Sequence, residues 1–93
     1  MKEIAKIETD SFILYGYNKY YERSVSPNDP FFILHCEDGP AEINKLSNTV
    51  AWFVDGVLVG DLVQEWFEEH NIDDWKTMSE EDKHSLSFYM RSL

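Results

Sequence analysis

An imidazole, a thiol and two carboxylates occupy consecutive positions at His35, Cys36, Glu37 and Asp38. Groups of these types form a cysteine nucleophile and its base when they meet in space. Neighbouring residues of a strand point to opposite faces, so His35 and Cys36 are not expected to face each other. We therefore interpret Cys36 as a small, half-buried residue and the two acids as turn formers, and we predict no catalytic residue.

The residue types that bind metals and phosphates lack the spacing of known sites. The chain has three histidines and one cysteine, without a C-x-x-C or H-x-x-x-H pair. Its acids do not form the D-x-D-x-D-G loop of a calcium site. A glycine-rich phosphate loop and a G-x-S-x-G elbow are also missing. The sequence predicts no metal, no cofactor and no enzymatic activity.

The charge balance is strongly acidic. Eighteen acidic and eight basic residues give a net charge of −10, which disfavours direct binding of nucleic acid. Six Phe, five Tyr and three Trp indicate a packed core rather than disorder. With a single cysteine, no secretory signal at the start and no long apolar run, we expect a cytoplasmic protein without a disulfide or a membrane segment.

The first two thirds of the chain have the pattern of strands and turns. Residues 11–21 and 31–35 are predicted strands joined by a loop at 24–30, and Gly16 is interpreted as a bulge or bend. A short strand at 41–43 precedes a turn at 44–48. We predict two structural turns, one at Asp38 and Gly39 and one at Asp55 and Gly56.

The segment around the second turn predicts a type I′ hairpin, because two apolar runs flank its Asp-Gly pair. Strand alternation places Val50, Trp52 and Val54 on one face, and Ala51 and Phe53 on the other. Since both faces are apolar, the hairpin is expected to lie between other layers.

After Gly60 the apolar residues recur with a helical period. Asp61 is the predicted N-cap of a first helix, with Gln64 as its capping-box partner and Asn71 as its stop. Ser79 is the predicted N-cap of a second helix. The predicted buried stripes are Leu62, Val63, Trp66 and Phe67 in the first helix and Leu86, Tyr89, Met90 and Leu93 in the second.

These elements predict a single α+β domain over residues 1–93. Residues 1–60 form an antiparallel β-hairpin sheet of about four to six strands, and residues 61–93 form an acidic part with two helices packed on that sheet.

The stretch from His35 to Gly56 also resembles a known repeat. Small proteins of tailed phages and some bacteria carry H-R-E-D-G-P-A, a strand and turn, and then W-Y-x-N-G. Here HCEDGPA spans 35–41 and WFVDG spans 52–56, with Cys36 where the repeat usually has Arg. The resemblance covers one unit, about a quarter of the chain. It implies a MORN-like β-hairpin scaffold and a phage origin, and it implies no activity.

Acidic residues are concentrated between Asp61 and Asp82, which hold nine acids and one base, Lys76. One interpretation is a solvated helix face together with helix-stabilising N-terminal acids. The other is an acidic face that binds a basic protein surface. Trp75 either covers the core or serves as an exposed anchor. The candidate partner-binding residues are Glu65, Glu68, Glu69, Asp73, Asp74, Trp75, Glu80 and Glu81.

Two functional hypotheses follow. The first is a small, non-enzymatic, phage-encoded protein that binds and inhibits a host protein in the host cytoplasm through its acidic helical face. Mimicry of a nucleic acid, against a nucleic-acid-binding or defence factor, is one form of this hypothesis. The alternative is an assembly module that oligomerises through its hairpins, for example as a homodimer, with the acidity serving solubility.

Overall fold

The computed structural model describes residues 3–19 and 31–93 of the chain. In these ranges, seven strands are followed by two α-helices, with a short 3-10 helix at Trp75–Thr77 between them. The α+β class, with its sheet before its helices, is therefore confirmed. The predicted loop at 24–30 lies outside the described residues. The strands are β1 (Ala5–Glu8), β2 (Phe12–Asn18), β3 (Phe32–Leu34), β4 (Glu42–Asn44), β5 (Thr49–Ala51), β6 (Phe53–Val54) and β7 (Val57–Leu58), and the helices are α1 (Gly60–Glu69) and α2 (Glu80–Arg91).

Strand β2 is the centre of the larger sheet, and all its pairings are antiparallel. β1 pairs with one edge of β2, while β4 and β3 share the other edge, and β5 pairs with β4. Gly16 keeps a regular register with both Ala5 and Leu34, so the predicted bulge or bend there is wrong. A Cβ at Gly16 would overlap the carbonyl oxygen of Ile33, so glycine is needed for the close approach of β3.

Strands β6 and β7 form the predicted hairpin. Asp55 and Gly56 have φ values of 50° and 80°, as a type I′ turn requires. Trp52 and Val54 are buried, but Val57 and Leu58 on the second strand are 62% and 64% exposed. The expectation that the hairpin lies between two layers is therefore wrong, because one of its strands faces solvent.

The main core joins this hairpin to both helices. Leu62 is 40% exposed, contrary to the prediction, because it lies about 90° from the centre of the stripe formed by Val63, Trp66 and Phe67. Leu93 is also exposed, since it follows the end of α2 at Arg91. The buried cluster consists of Trp52, Val54, Val59, Val63, Trp66, Phe67, Met78, Leu86 and Met90, with Ile72, Trp75 and Tyr89 packed against it.

Three helix ends test the predicted caps. Val59 is the N-cap of α1 and has no capping side chain, so the capping role predicted for Asp61 is wrong, and Asp61 lies in the first turn. Asn71 ends α1 as predicted: its φ is 56°, and Ile72 N–H donates to the Phe67 carbonyl at 2.9 Å, as in a Schellman motif. Ser79 caps α2 as predicted, because its Oγ accepts from Asp82 N–H at 3.1 Å. In the described ranges, no helix is long and apolar enough to cross a membrane.

Candidate functional site

The two halves of the motif from His35 to Gly56 are one structural unit. Cys36 N–H donates to the carbonyl of Phe53 at 3.1 Å, and Gly56 N–H donates to the carbonyl of Leu34 at 2.9 Å. Ala41 N–H donates to Ala51 in the same way at 3.0 Å. The loop after β3 is thus fastened by backbone hydrogen bonds to the β6–β7 hairpin and to β5, which explains why the two halves belong together.

His35 is the buried side chain that holds this unit together. Its Nδ1 accepts a hydrogen bond from Asp55 N–H at 2.9 Å, so Nδ1 carries no proton in this arrangement. Its Nε2 lies 3.6 Å from a carboxylate oxygen of Glu37. The Tyr17 hydroxyl donates to the Asp55 carboxylate at 2.8 Å, and the Tyr17 ring meets the His35 ring edge-on. His35 therefore ties the end of β3 to the type I′ turn.

Cys36 is buried and lacks the surroundings of a nucleophile. Its Sγ donates to a carboxylate oxygen of Asp38 at 3.4 Å. Burial raises the pKa of the thiol to about 11, so the thiol is protonated at neutral pH. The two ring nitrogens of His35 face Asp55 and Glu37. The arrangement thus provides neither a thiolate nor a base for it, and the absence of catalysis stays a prediction.

The two Asp-Gly pairs differ in conformation. At Asp38 and Gly39 the chain bends, but neither residue has a positive φ, in contrast to Asp55 and Gly56. Among the atoms of the described residues, a Cβ at Gly39 would meet only the Cys36 sulfur, at an ordinary distance of 3.9 Å. The first pair is therefore a bend that leads into β4, and only the second pair is a hairpin turn.

The predicted acidic residues lie in three places. Glu65, Glu68 and Glu69 are exposed on the side of α1 opposite its buried stripe, and no described cation lies within ion-pairing distance of them. Asp73 and Asp74 are exposed after the helix, where Asp74 caps the 3-10 helix by accepting from Lys76 N–H. Glu80 and Glu81 occupy the first turn of α2, where acids stabilise the helix.

Trp75 is partly buried and covers the core. Its ring packs edge-on against Trp52, with 6.4 Å between ring centroids. Lys76 Nζ lies 5.9 Å from the centroid of the same ring. The structure thus shows Trp75 as a lid over the core, and its role as an anchor for a partner stays a prediction.

A groove that the sequence analysis missed lies between the sheet and α2. It has a volume of about 630 Å³, and its walls are the loop 36–40, Tyr15 and Ile43 of the sheet, the 3-10 helix, and one side of α2. Lys83, Ser87 and Arg91 follow one another at intervals of four residues and form that side of α2. This spacing is visible in the sequence and marks one helix face.

The chain was compared with protein-family models, with curated proteins and with solved structures, and none of the three comparisons found a match. The resemblance to the phage and bacterial repeat therefore stays a prediction. Within residues 3–19 and 31–93, no group of three or more His, Cys, Asp or Glu side chains is arranged so that it could hold a metal ion.

Proposed function

We propose that this protein is a non-enzymatic interaction protein whose α1 carboxylates bind a basic surface of another protein. The observation that carries the proposal is the outer side of α1, where Glu65, Glu68 and Glu69 are exposed and form no ion pair with a cation of residues 3–19 and 31–93. The opposite side of the helix supplies Val63, Trp66 and Phe67 to the core. One side of α1 thus serves folding, and the other remains available to a partner.

Electrostatics supports this use of the helix. Glu65 and Glu69 lie one helical turn apart, about 6 Å along the axis, so their fields add outside the helix. Asp73 and Asp74 extend the negative charge beyond the end of α1. Such a surface speeds the encounter with a basic partner and selects against acidic ones. The partner that we propose is a host protein with a basic surface. In the specific form of the proposal, this basic surface normally binds nucleic acid.

The test begins with capture of partners from a bacterial lysate at low and at high salt, followed by titration of the purified partner. Glu65→Lys/Glu69→Lys should weaken binding about tenfold or more at low salt and less at high salt, because screening reduces the contribution of exposed charges. Glu3→Lys/Asp10→Lys is the matched control, since it changes the net charge equally at exposed positions outside α1. Circular dichroism verifies that both variants fold.

Equal weakening by both variants would mean that only net charge matters, and unchanged binding by the α1 variant would reject the proposal. Capture that does not respond to salt would reject it as well.

A second candidate function, the assembly module, has its own supporting observation. Val57, Leu58 and Leu62 are exposed apolar residues, and Leu58, Leu62 and Val50 line an open groove of about 620 Å³ beside the edge strand β5. Exposed apolar patches of this kind mark association surfaces. Sedimentation equilibrium decides between the candidates: self-association that is abolished by Leu58→Ser and is insensitive to salt favours assembly.

A further inference from the structure

The groove between the sheet and α2 differs in charge from the rest of the molecule. The chain has eight basic residues, and three of them, Lys76, Lys83 and Arg91, line this one groove. Lys76 is the single base in the segment from Asp61 to Asp82, which contains nine acids. With Glu37 and Asp38 also in its lining, the groove has three cations against two carboxylates, a small excess of positive charge on a protein of net charge −10.

The three cations are not equivalent. Arg91 Nε donates to a carboxylate oxygen of Glu37 at 3.1 Å, so the charge of Arg91 is balanced across the groove. Lys83 Nζ lies 3.5 Å from Glu80, whose side chain is 93% exposed and is therefore a weak partner. Lys76 Nζ has no described carboxylate within ion-pairing distance and lies beside the Trp75 ring. Two ammonium groups thus remain for a ligand.

Apolar and aromatic side chains line the same groove as these ammonium groups. Tyr15 and Ile43 of the sheet line the groove, together with Trp75, whose ring lies 5.9 Å from Lys76 Nζ. Ser87 adds one hydroxyl between Lys83 and Arg91. Small-molecule sites commonly combine an apolar lining with a few polar groups in a volume of about 300–1,000 Å³. The volume of about 630 Å³ falls within this range.

We propose that this groove binds a small amphipathic monoanion, a carboxylate on a flat apolar body. The carboxylate lies at the ammonium groups of Lys76 and Lys83, and the apolar body lies against Trp75, Tyr15 and Ile43. A single negative charge is favoured because Glu37 and Asp38 also line the groove and the whole molecule carries −10. Each further negative charge on the ligand would meet this repulsion without gaining a new cation.

The experiment is a titration of ¹⁵N-labelled protein, followed by two-dimensional NMR, with 2-naphthoate as the probe. Acetate carries the same charge without the apolar body, and 2-naphthalenemethanol carries the ring without the charge. We expect saturable shifts for 2-naphthoate below about 10 mM at the Trp75 indole and at the amides of Gly39, Lys76 and Ser87. Each of the other two probes should bind at least about tenfold more weakly, because it makes only one of the two kinds of contact.

Two double variants make the result specific to the groove. Lys76→Gln/Lys83→Gln should weaken 2-naphthoate binding by about tenfold. Lys6→Gln/Lys19→Gln removes the same charge at exposed positions outside the groove and should change binding less than about twofold. Thermal melting confirms that both variants are folded at the temperature of the titration.

Several results would overturn the proposal. Equal binding of 2-naphthoate and 2-naphthalenemethanol is one such result, and NMR shifts centred on Leu58 and Leu62 are another. The proposal also fails if 2-naphthoate does not saturate the protein below about 10 mM, or if Lys76→Gln/Lys83→Gln binds it with unchanged affinity. Tighter binding of an acidic hexapeptide than of naphthoate would overturn it as well, since it would show that a polyanion is preferred. The groove shares no side chain with the outer side of α1, so either proposal can fail without the other.

Discussion

Two Asp-Gly pairs that look alike in the sequence should respond differently to the same substitution. Gly56 has a φ of 80° in the type I′ turn, whereas Gly39 has no positive φ. We therefore compare Gly56→Ala with Gly39→Ala, which add the same methyl group at the second position of each pair.

The expected magnitudes follow from backbone conformation and from the space around each Cβ. An L-residue in the left-handed region costs roughly 1–2 kcal/mol relative to glycine. At Gly56 the new Cβ also meets Ile33 Cγ2 at 3.3 Å, a tight contact that requires the neighbouring side chain to shift by a few tenths of an ångström. At Gly39 the nearest atom is 3.9 Å away, and alanine reduces the entropy of the unfolded chain. Gly39→Ala should therefore change stability by no more than about 0.5 kcal/mol, or increase it slightly.

The assay is thermal unfolding of both variants, with urea denaturation as a second measure. For a domain of this size, 1 kcal/mol corresponds to about 4–8 °C, so Gly56→Ala should lower the Tm by about 5–15 °C. Gly39→Ala should leave the Tm within about 4 °C of the parent protein. Equal losses at the two positions, or a larger loss at Gly39, would refute the assignment of one hairpin turn and one simple bend.

Three further predictions concern single positions. Gly16→Ala should destabilise the fold by about 3 kcal/mol or more, because its Cβ would overlap the Ile33 carbonyl oxygen and separate β3 from β2. Urea denaturation measures the loss of stability, and a loss below about 1 kcal/mol would contradict the prediction. Asn71→Gly should raise the Tm by a few degrees and Asn71→Ala should lower it, because the position has a φ of 56°; the opposite order would contradict the cap. The pKa of Cys36 is raised from 9.0 to about 11 by folding, so its contribution to stability is present below pH 9 and is lost as the pH rises towards 11. Near pH 11 the parent protein should have lost about 2 kcal/mol more than Cys36→Ser, relative to pH 8, and parallel pH profiles of the two proteins would contradict the buried thiol.

Short sequence patterns predicted the hairpin turn and two of the helix ends, because these features depend on residues that are close together in the chain. Asp55 and Gly56 predict the type I′ turn because both positions need a positive φ, which only a few residue types accept readily. Ser79 and Asn71 mark helix ends for reasons that lie within the helix. The Ser79 side chain accepts a hydrogen bond from the first turn of α2, and Asn71 adopts the positive φ that ends α1. Asp61 shows the limit of this reasoning, because α1 begins two residues earlier than an N-cap at Asp61 would place it, with Val59 as the N-cap.

Burial at the margins of the core depends on neighbours that are distant in the chain. Leu62 and Leu93 have apolar side chains with helical spacing, yet both are exposed, since the packing of the elements in the described ranges leaves them at the margin of the core. Gly16 shows the same dependence, since its role comes from β3, which lies 16 or more residues further along the chain.

The sequence by itself determined the α+β class, the acidity, the hairpin turn and the side of α1 that carries Glu65, Glu68 and Glu69. These features follow from composition and from periodicity within one element. Only the tertiary structure decided that His35 joins β3 to the Asp55 turn, that Trp75 covers the core, and that Lys76, Lys83 and Arg91 line one groove. The physical reason is that each of these arrangements brings together side chains from separate elements, and periodicity within an element carries no information about how it packs against the others.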